Sequence, residues 1–451
     1  MVFGVVYVLI FGPRSEPALP PDRRSDLVIH YWEKWLGPEA EAMQVIVDDF
    51  NNSVGREKHI YVEMMSMSDI DQKTLVATAG GVPPDVAGLW DPMVVQLGSL
   101  GALEPLEDLA KAHGITDGFY KPVFWNACHF NGHLYSLVST PAAVALFYNQ
   151  RIFHEDAAKL RAAGLDPNRP PQTIDELDRY SDALTEFVTD AQGQRHVSRA
   201  GYMPMPPDYD WYVTSIPLWF GDNEWDSVTH RFTLTDPAVL QAFRWLESFP
   251  RKLGEDAVSE FSTSQGSFNS PQNAFVAGTL VMEMQGPWMA NYIHHLRPSM
   301  DHDWAAAPFP SAVPGLTDVT YCPFDTLMIP RGCPHIPEAF EFIAFVNRQD
   351  EMEKLCMMHC KNSPLTNVSE YFLDHHPNPY IRVFEELSAS PNAHMTMQCP
   401  VAQEAGGDLT AIVQGVLAME IDPKIALEQA QVSLQAKYDE FEKNLKRRMR
   451  Q

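Results

Sequence analysis

The stretch 27–65, LVIHYWEKWLGPEAEAMQVIVDDFNNSVGREKHIYVEMM, decides the fold class. It opens with an apolar run of strand length at 27–32 and closes with a second one at 59–65. Between them a helix that begins near Pro38 has its apolar residues on one face: Met43, Ile46, Val47 and Phe50. Strand–helix–strand units of this length predict an α/β fold with a mostly parallel sheet flanked by helices.

The alternation continues beyond this stretch. Further strands are predicted at 85–90 and 144–149, and a helix at 173–188. Thr173, followed three residues later by Glu176, is typical of a capping box at a helix start. By contrast, 201–226 is rich in Pro, Tyr and Trp without a clear period. We interpret that stretch as a loop-rich surface rather than a core element.

Length and charge limit the function. A chain of 451 residues exceeds what one hydrophobic core usually holds, which predicts two domains. Asp and Glu number 59 against 33 Lys and Arg, and the resulting formal charge of −26 repels phosphate backbones and anionic lipids. Nucleic acid is therefore not an expected partner.

Signatures of catalysis and of metal binding are sparse. The sequence has no GxSxG, no Gly-rich phosphate loop ending in GK, no GxGxxG and no HExxH, so we expect no enzyme and no cofactor. The cluster at 356–360 holds two cysteines and His359 but has no companion ligand pair, and we expect no metal there. The six scattered cysteines form no dense disulfide framework, although one or two bridges are compatible with export.

The N-terminus favours export. Residues 1–12 are almost wholly apolar, too short to span a bilayer but of the right size for a signal-peptide apolar region. A positive segment before it and a clear cleavage site after it are both missing, so an uncleaved anchor or a buried first strand are the alternatives. We interpret 1–25 as a signal or anchor segment with a tether rich in Pro and charge.

Seven short motifs, in order, resemble the extracellular solute-binding proteins of carbohydrate ABC importers, the group similar to maltose-binding protein. Each motif alone is weak, but their order makes the resemblance specific over nearly all of the chain after Asp26. Ser136 and Ile174 depart from the family pattern, which leaves the substrate subgroup open. The motifs are 28–35, GGVPPDV at 80–86, GSLGALEPL at 98–106, NGHLY at 131–135, LFYN at 146–149, PPQTIDEL at 170–177, and AFVAG at 274–278 with Met282 and GPW at 286–288.

The resemblance implies a two-lobed, periplasmic-binding-protein-like clamp whose lobes are discontinuous in sequence. It places residues 26–141 plus 304–348 in the N-terminal lobe and residues 142–303 plus 349–451 in the C-terminal lobe. It further implies a monomer in the periplasm or outside the cell, either free or anchored to the membrane through its N-terminal segment. Such a protein binds a sugar or oligosaccharide between its lobes and delivers it to ABC permease subunits by hinge closure.

The ends of two predicted strands supply candidate ligand-binding residues. Solutes collect at the carboxyl ends of parallel strands, and sugars need aromatic platforms together with hydrogen-bonding carboxylates. There are two structural alternatives: one of Trp32 and Trp35 packs in the core instead, and Asp91 caps the helix that starts at Pro92. The candidates are Trp32, Glu33, Lys34 and Trp35 after the first strand, and Trp90 and Asp91 after the third.

Five more candidates come from the resemblance. Trp288, in the GPW motif, resembles the family's stacking aromatic residue. Tyr209 and Trp211 belong to an irregular segment that the resemblance places at the cleft. Phe324 and Asp325 precede a short strand, where the family often has a ligand contact.

Other functions fit the same sequence. The solute could be a polyamine, a peptide or a polyol, although an acidic and aromatic cleft disfavours anions. A secreted carbohydrate-active enzyme is a second alternative, which turnover of a bound oligosaccharide would reveal. A receptor that passes lobe closure to a signalling partner is a third.

Overall fold

In a computed structural model, residues 19–204, 215–267 and 269–448 are described. Two five-stranded sheets form the centres of two lobes, and three two-stranded pairs accompany them. The strands are β1 Leu27–Glu33, β2 Ile60–Ser66, β3 Val86–Trp90, β4 His129–Phe130, β5 His133–Leu134, β6 Ser136–Pro141, β7 Ala145–Asn149, β8 Glu186–Thr189, β9 Arg195–Tyr202, β10 Trp225–Asp226, β11 Arg231–Phe232, β12 Leu280–Gln285, β13 Trp304–Ala307, β14 Thr320–Tyr321, β15 Phe324–Met328 and β16 Ala393–His394.

Helices cover both sheets. Thr173 caps its helix as predicted, because its side chain accepts a hydrogen bond from the backbone N–H of Glu176. The α-helices are Pro38–Asn52, Val54–Lys58, Ile70–Ala79, Pro92–Ser99, Glu107–Ala112, Pro122–Ala127, Gln150–Glu155, Ala157–Ala162, Ile174–Leu184, Pro237–Leu253, Glu255–Ser264, Ala274–Ala277, Met289–Leu296, Ile336–Val346, Gln349–Met358, Glu370–His375, Ile381–Ala389, Ala402–Leu417 and Pro423–Arg448. Short 3-10 helices lie at Pro21–Arg23, Ile216–Phe220 and Pro298–Met300.

The two-lobed α/β class is confirmed, but the sheets are mixed rather than mostly parallel. The first sheet has the order β2-β1-β3-β15-β6, and the second has the order β13-β7-β12-β9-β8. In the first, β1 pairs in parallel with β2 and β3, whereas β15 is antiparallel to both of its neighbours. In the second, only the pair β12 and β9 is parallel.

The crossings between lobes explain the antiparallel strands. After β6 the chain leaves the first sheet and enters the second as β7, and it returns from β13 to β15. A strand that leaves a lobe and a strand that comes back into it run in opposite directions when they lie side by side. This is why β15 is antiparallel to β6, and β13 to β7.

The exact lobe boundaries stay a prediction, which the contacts refine in two places. Trp304–Ala307 pairs with β7 in the second sheet, although we expected the first lobe to resume at Trp304. The helix Gln349–Met358 packs against β6 and the helix Pro38–Asn52, whereas the helix Ala402–Leu417 packs against Pro237–Leu253. We therefore propose that the return crossing follows Ala307 and that the last one lies near 390–401.

The interpretation of 201–226 as a surface loop is wrong for its described second half. Every residue of Ile216–Phe220 is buried, and Trp219 is fully enclosed. Its indole N–H donates to the backbone oxygen of Val319 at 3.1 Å. Aperiodic apolar residues can fill a core from a 3-10 helix or a turn, where no helical or strand period reveals them.

All six cysteines lie in the described ranges, and each is a buried free thiol. Within those ranges no group of three His, Cys, Asp or Glu side chains is placed to hold a metal ion. No helix of the described chain has the length and apolar character needed to cross a membrane.

We predict that the thiols of the native protein resist modification. Burial raises the pKa of Cys128 and Cys322 to about 12, and the thiolate is the reactive form. A colorimetric thiol reagent at pH 8 should therefore label the native chain over hours and the denatured chain at once, with all six sites titrated. Rapid labelling of any thiol in the native protein would contradict the burial described here.

Candidate functional site

Glu33 and Trp35 are buried where β1 ends. The Glu33 carboxylate accepts hydrogen bonds from the backbone N–H groups of Lys34, at 2.7 Å, and Trp35, at 3.1 Å, and from the Tyr31 hydroxyl. Gly88 of β3 lies beside it, and a Cβ there would stand 2.1 Å from the Glu33 carboxylate. Glu33 therefore holds the turn that follows β1.

Asp325 is the centre of a buried ion cluster. The Lys34 ammonium lies 3.1 Å from one carboxylate oxygen, and Lys361 donates to the other at 2.6 Å. Thr140 donates to that second oxygen at 2.8 Å. Burial by itself would raise the pKa of Asp325, but the charges of Lys34 and Lys361 hold it well below its ordinary value. Asp325 is ionised and surrounded by protein donors.

The predicted tryptophans surround the two lysines. The Lys34 ammonium lies 4.3 Å from the Trp35 ring centre and 5.6 Å from that of Trp90, distances typical of cation–π contacts. The Lys361 ammonium lies 5.7 Å from the ring centres of both Trp35 and Trp288. Trp35 is buried, whereas Trp90 keeps 46% of its surface exposed. Trp90 is thus the one of these three with a broad open face.

Three other candidates pack within the first lobe. Trp32 lies against a small apolar cluster that includes Leu89. Phe324 is buried and meets Phe124 edge-on, with ring centres 6.1 Å apart. Asp91 is also buried, and its side chain does not cap the helix that starts at Pro92. Burial raises the pKa of Asp91 to about 7.

The two remaining candidates, Tyr209 and Trp211, lie outside the described residues.

A cavity of about 850 Å³ lies between the two lobes, next to the ion cluster. This volume is within the range of small-molecule sites. Of the candidate residues in the described chain, Trp90 lines it. The other lining residues are Asp71, Pro92, Met93, Pro122, Val123 and Asn126 from the first lobe, Ser215, Leu218, Asn223, Glu224, Trp225 and Ser227 from the second, and Tyr321, 389–391, 393–398, Gln403, Ala402 and Gly406 from later segments.

Acidic and aromatic side chains give the cavity its chemistry. The described lining contains two acidic residues, Asp71 and Glu224, and no Lys or Arg. Glu224 is 4% exposed, and burial raises its pKa to about 8. His394 is the one histidine of the described lining, and burial lowers its pKa, which favours the neutral ring. The lining offers no fixed positive charge to an anionic solute.

Sequence reasoning missed most of this lining. Glu224 and Trp225 belong to the stretch interpreted as a surface loop, and Tyr321 lies in the short strand β14. Residues 389–406 contain no Phe, Tyr or Trp, so a prediction based on aromatic platforms does not include them. The density of Trp and Tyr in an aperiodic segment was the one signal that could have pointed to Trp225.

Two α/β lobes joined by crossing strands, with a solute-sized cavity between them, define a clamp of the binding-protein class. A family model for bacterial extracellular solute-binding proteins matches residues 46–368. The chain belongs to this family, whose members are solute-binding proteins rather than enzymes and act outside the cytoplasm.

Individual relatives are distant. A maltotriose-binding protein of Pyrococcus abyssi is 21% identical over 285 residues, which are 62% of this chain and 53% of that protein. The chain thus spans about half the length of this curated relative. Among solved structures, CpMnBP1 with mannotriose bound has a TM-score of 0.74 at 23% identity, covering 90% of this chain and 99% of the other. MalE of Xanthomonas citri, a sugar-binding protein, has a TM-score of 0.73 at 18% identity, covering 94% and 98%.

Proposed function

We propose that the protein binds a sugar or oligosaccharide in the cavity between its lobes and delivers it, unchanged, to the permease of an ABC transporter. The observation that carries this proposal is the cavity itself, which has the open face of Trp90 from the first lobe and buried polar groups of Glu224 and Trp225 from the second in its walls. Sugar rings present apolar C–H faces to such indoles and hydroxyl groups to polar neighbours. The sugars bound by the related proteins support the same class of solute.

Hinge closure is the proposed means of delivery. The lobes are joined by chain crossings, and β14 and β16 form a small parallel pair between them. Residues of both lobes and of this connecting region line the cavity, so a solute that touches all three favours the closed arrangement. The permease would then recognise the closed clamp.

We predict that Trp90→Ala weakens saccharide binding by about 10–100-fold. Burying an aromatic side chain against a partner contributes about 1.5–3 kcal/mol, and each 1.4 kcal/mol is tenfold in affinity. The measurement is a thermal-shift screen of the protein from residue 19 onward against mono- and oligosaccharides, polyamines and peptides. Each hit is then titrated by calorimetry. Product analysis of each hit tests whether the solute is recovered intact.

Trp32→Phe is the matched control, because Trp32 packs against the Leu89 cluster and is absent from the described lining. It should retain the affinity of the parent protein. Trp90 is half exposed, so its replacement should leave the unfolding midpoint nearly unchanged. A cleaved sugar would establish an enzyme instead, and a response to polyamines or peptides alone would overturn the class of solute.

For its location we propose the periplasm or the cell exterior, with attachment through the apolar N-terminal segment 1–12. The family is extracellular, and this segment has the composition of an export signal or anchor. Fractionation of cells that express the full chain distinguishes a retained anchor from a cleaved signal. A retained anchor keeps the protein with membranes after a salt wash, and a cleaved signal releases it.

A further inference from the structure

Two consecutive residues of the cavity wall carry buried polar atoms that no described residue contacts with a hydrogen bond. One carboxylate oxygen of Glu224 and the indole N–H of Trp225 have no hydrogen-bond partner among the described residues. Their exposed fractions are 4% and 6%. A buried polar group without a partner costs free energy, so such groups in a native structure call for an explanation.

The segment that carries these two residues is firmly held. The backbone N–H of Trp225 donates to the Asn223 side chain at 3.0 Å, and the backbone oxygen of Glu224 accepts from Thr233 at 3.0 Å. The Trp225 ring packs against Phe232 and Tyr438, in each case with ring centres 4.9 Å apart. The Trp225 ring is therefore held by packing before any solute arrives, and the buried Glu224 side chain projects from a backbone that is itself hydrogen-bonded.

We propose that Glu224 and Trp225 form a hydroxyl-binding pair that sets the solute preference of the cavity. This inference rests on the proposed function. A sugar hydroxyl both donates and accepts, so it can give its hydrogen to the Glu224 carboxyl and take one from the Trp225 indole. An ammonium group cannot accept the indole hydrogen. A carboxylate or phosphate would enter a lining that contains Asp71 and no described Lys or Arg to balance its charge. The pair selects uncharged polyhydroxyl solutes.

The environment of Glu224 agrees with this role. Burial raises the pKa of the Glu224 carboxyl to about 8, and the nearby charge of Asp222 acts in the same direction. A carboxyl group that is mostly protonated at neutral pH can donate as well as accept, as glutamine can. Glutamine should therefore replace Glu224 in binding, whereas leucine, which has similar bulk and no polar atom, should not.

The test measures binding of maltotriose and mannotriose to the full chain by calorimetric titration at pH 7. For the trisaccharide that binds, we expect Glu224→Gln to stay within about 3-fold of the parent affinity. We expect Glu224→Leu to lose about 10-fold or more, and Trp225→Phe to lose several-fold. The same trisaccharide oxidised to its 6-carboxylate should bind the parent protein at least about 10-fold more weakly.

Glu283 provides the matched control. It too is a buried carboxyl group of the second lobe with a pKa raised to about 8, but it is not part of the described cavity lining. Glu283→Met should keep the parent affinity. Both Glu224→Leu and Glu283→Met should unfold at the parent temperature or above it, so a loss of binding confined to Glu224→Leu cannot come from misfolding.

Two outcomes overturn the inference. If the parent protein binds a trisaccharide and Glu224→Leu binds it within 2-fold as well, the hydroxyl-binding pair is refuted while the proposed function stands. If the parent protein binds no saccharide of the screen, the proposed function falls and the pair falls with it.

Discussion

Asp325→Ala is expected to lower the free energy of unfolding by about 3–5 kcal/mol, the usual cost of removing one partner from a buried ion cluster. The substitution leaves the ammonium groups of Lys34 and Lys361 buried without their shared carboxylate. It also removes the acceptor of the Thr140 hydroxyl. Urea denaturation at pH 7 measures the change. A cost below about 1 kcal/mol would show that solvent reaches the cluster and screens it.

The pH dependence gives this prediction a second readout. The pKa of Asp325 is lowered in the folded state, so its ionisation contributes stability above the ordinary value of 3.8, and this contribution is lost as the pH falls below it. Between pH 5 and pH 3 the parent protein should therefore lose more stability than Asp325→Ala does.

Asp350→Ala is the control. Asp350 pairs with Arg348, and these side chains are 60% and 50% exposed, so its loss should cost less than about 1 kcal/mol.

The order of the elements was readable from the sequence because it depends on local period. The run 27–32 and the helix from Pro38 were predicted from apolar spacing, and both are present as β1 and Pro38–Asn52. Thr173 was predicted to cap its helix from two residues three positions apart. Signals of this kind involve neighbours in the chain, and a sequence displays them directly.

Strand direction was not readable, because it depends on the path of the chain between lobes. The strand β15 enters the first sheet from the other lobe and runs antiparallel to both of its neighbours. Its position between β3 and β6 results from two crossings that are far apart in sequence. Local period carries no information about them.

The roles of the polar residues at strand ends were the least predictable. Glu33 and Lys34 were predicted from the end of the first strand, and Asp325 from the family resemblance; the structure brings the three together at one end of the first sheet. Whether they face a solute or one another depends on Lys361, which is 36 residues from Asp325 and carried no motif. Because Lys361 donates to Asp325, the carboxylate of Asp325 is satisfied by protein donors. The cavity is lined instead by residues such as Glu224.

Glu283→Met is expected to raise the free energy of unfolding by several kcal/mol above pH 8. Glu283 is 1% exposed in the middle of β12, and neither carboxylate oxygen has a hydrogen-bond partner among the described residues. Burial alone raises its pKa from 4.5 to about 8. Each unit of such a shift corresponds to about 1.4 kcal/mol, and methionine fills a similar volume without an ionisable group.

The gain from Glu283→Met should grow with pH, since the folded protein holds the Glu283 proton more tightly than the unfolded chain does. Below pH 4.5 the carboxyl group is protonated in both states, and the two proteins should differ least. As the pH rises from 4.5 to about 8, the parent protein loses stability that Glu283→Met keeps, and above pH 8 the difference should level off.

Urea denaturation of both proteins at pH 5, 7 and 9 measures this. Glu255→Gln, an exposed change in the same lobe, should alter stability by no more than about 0.5 kcal/mol. A difference between Glu283→Met and the parent protein that stays constant over this range would mean that the Glu283 carboxylate has a stabilising partner in solution.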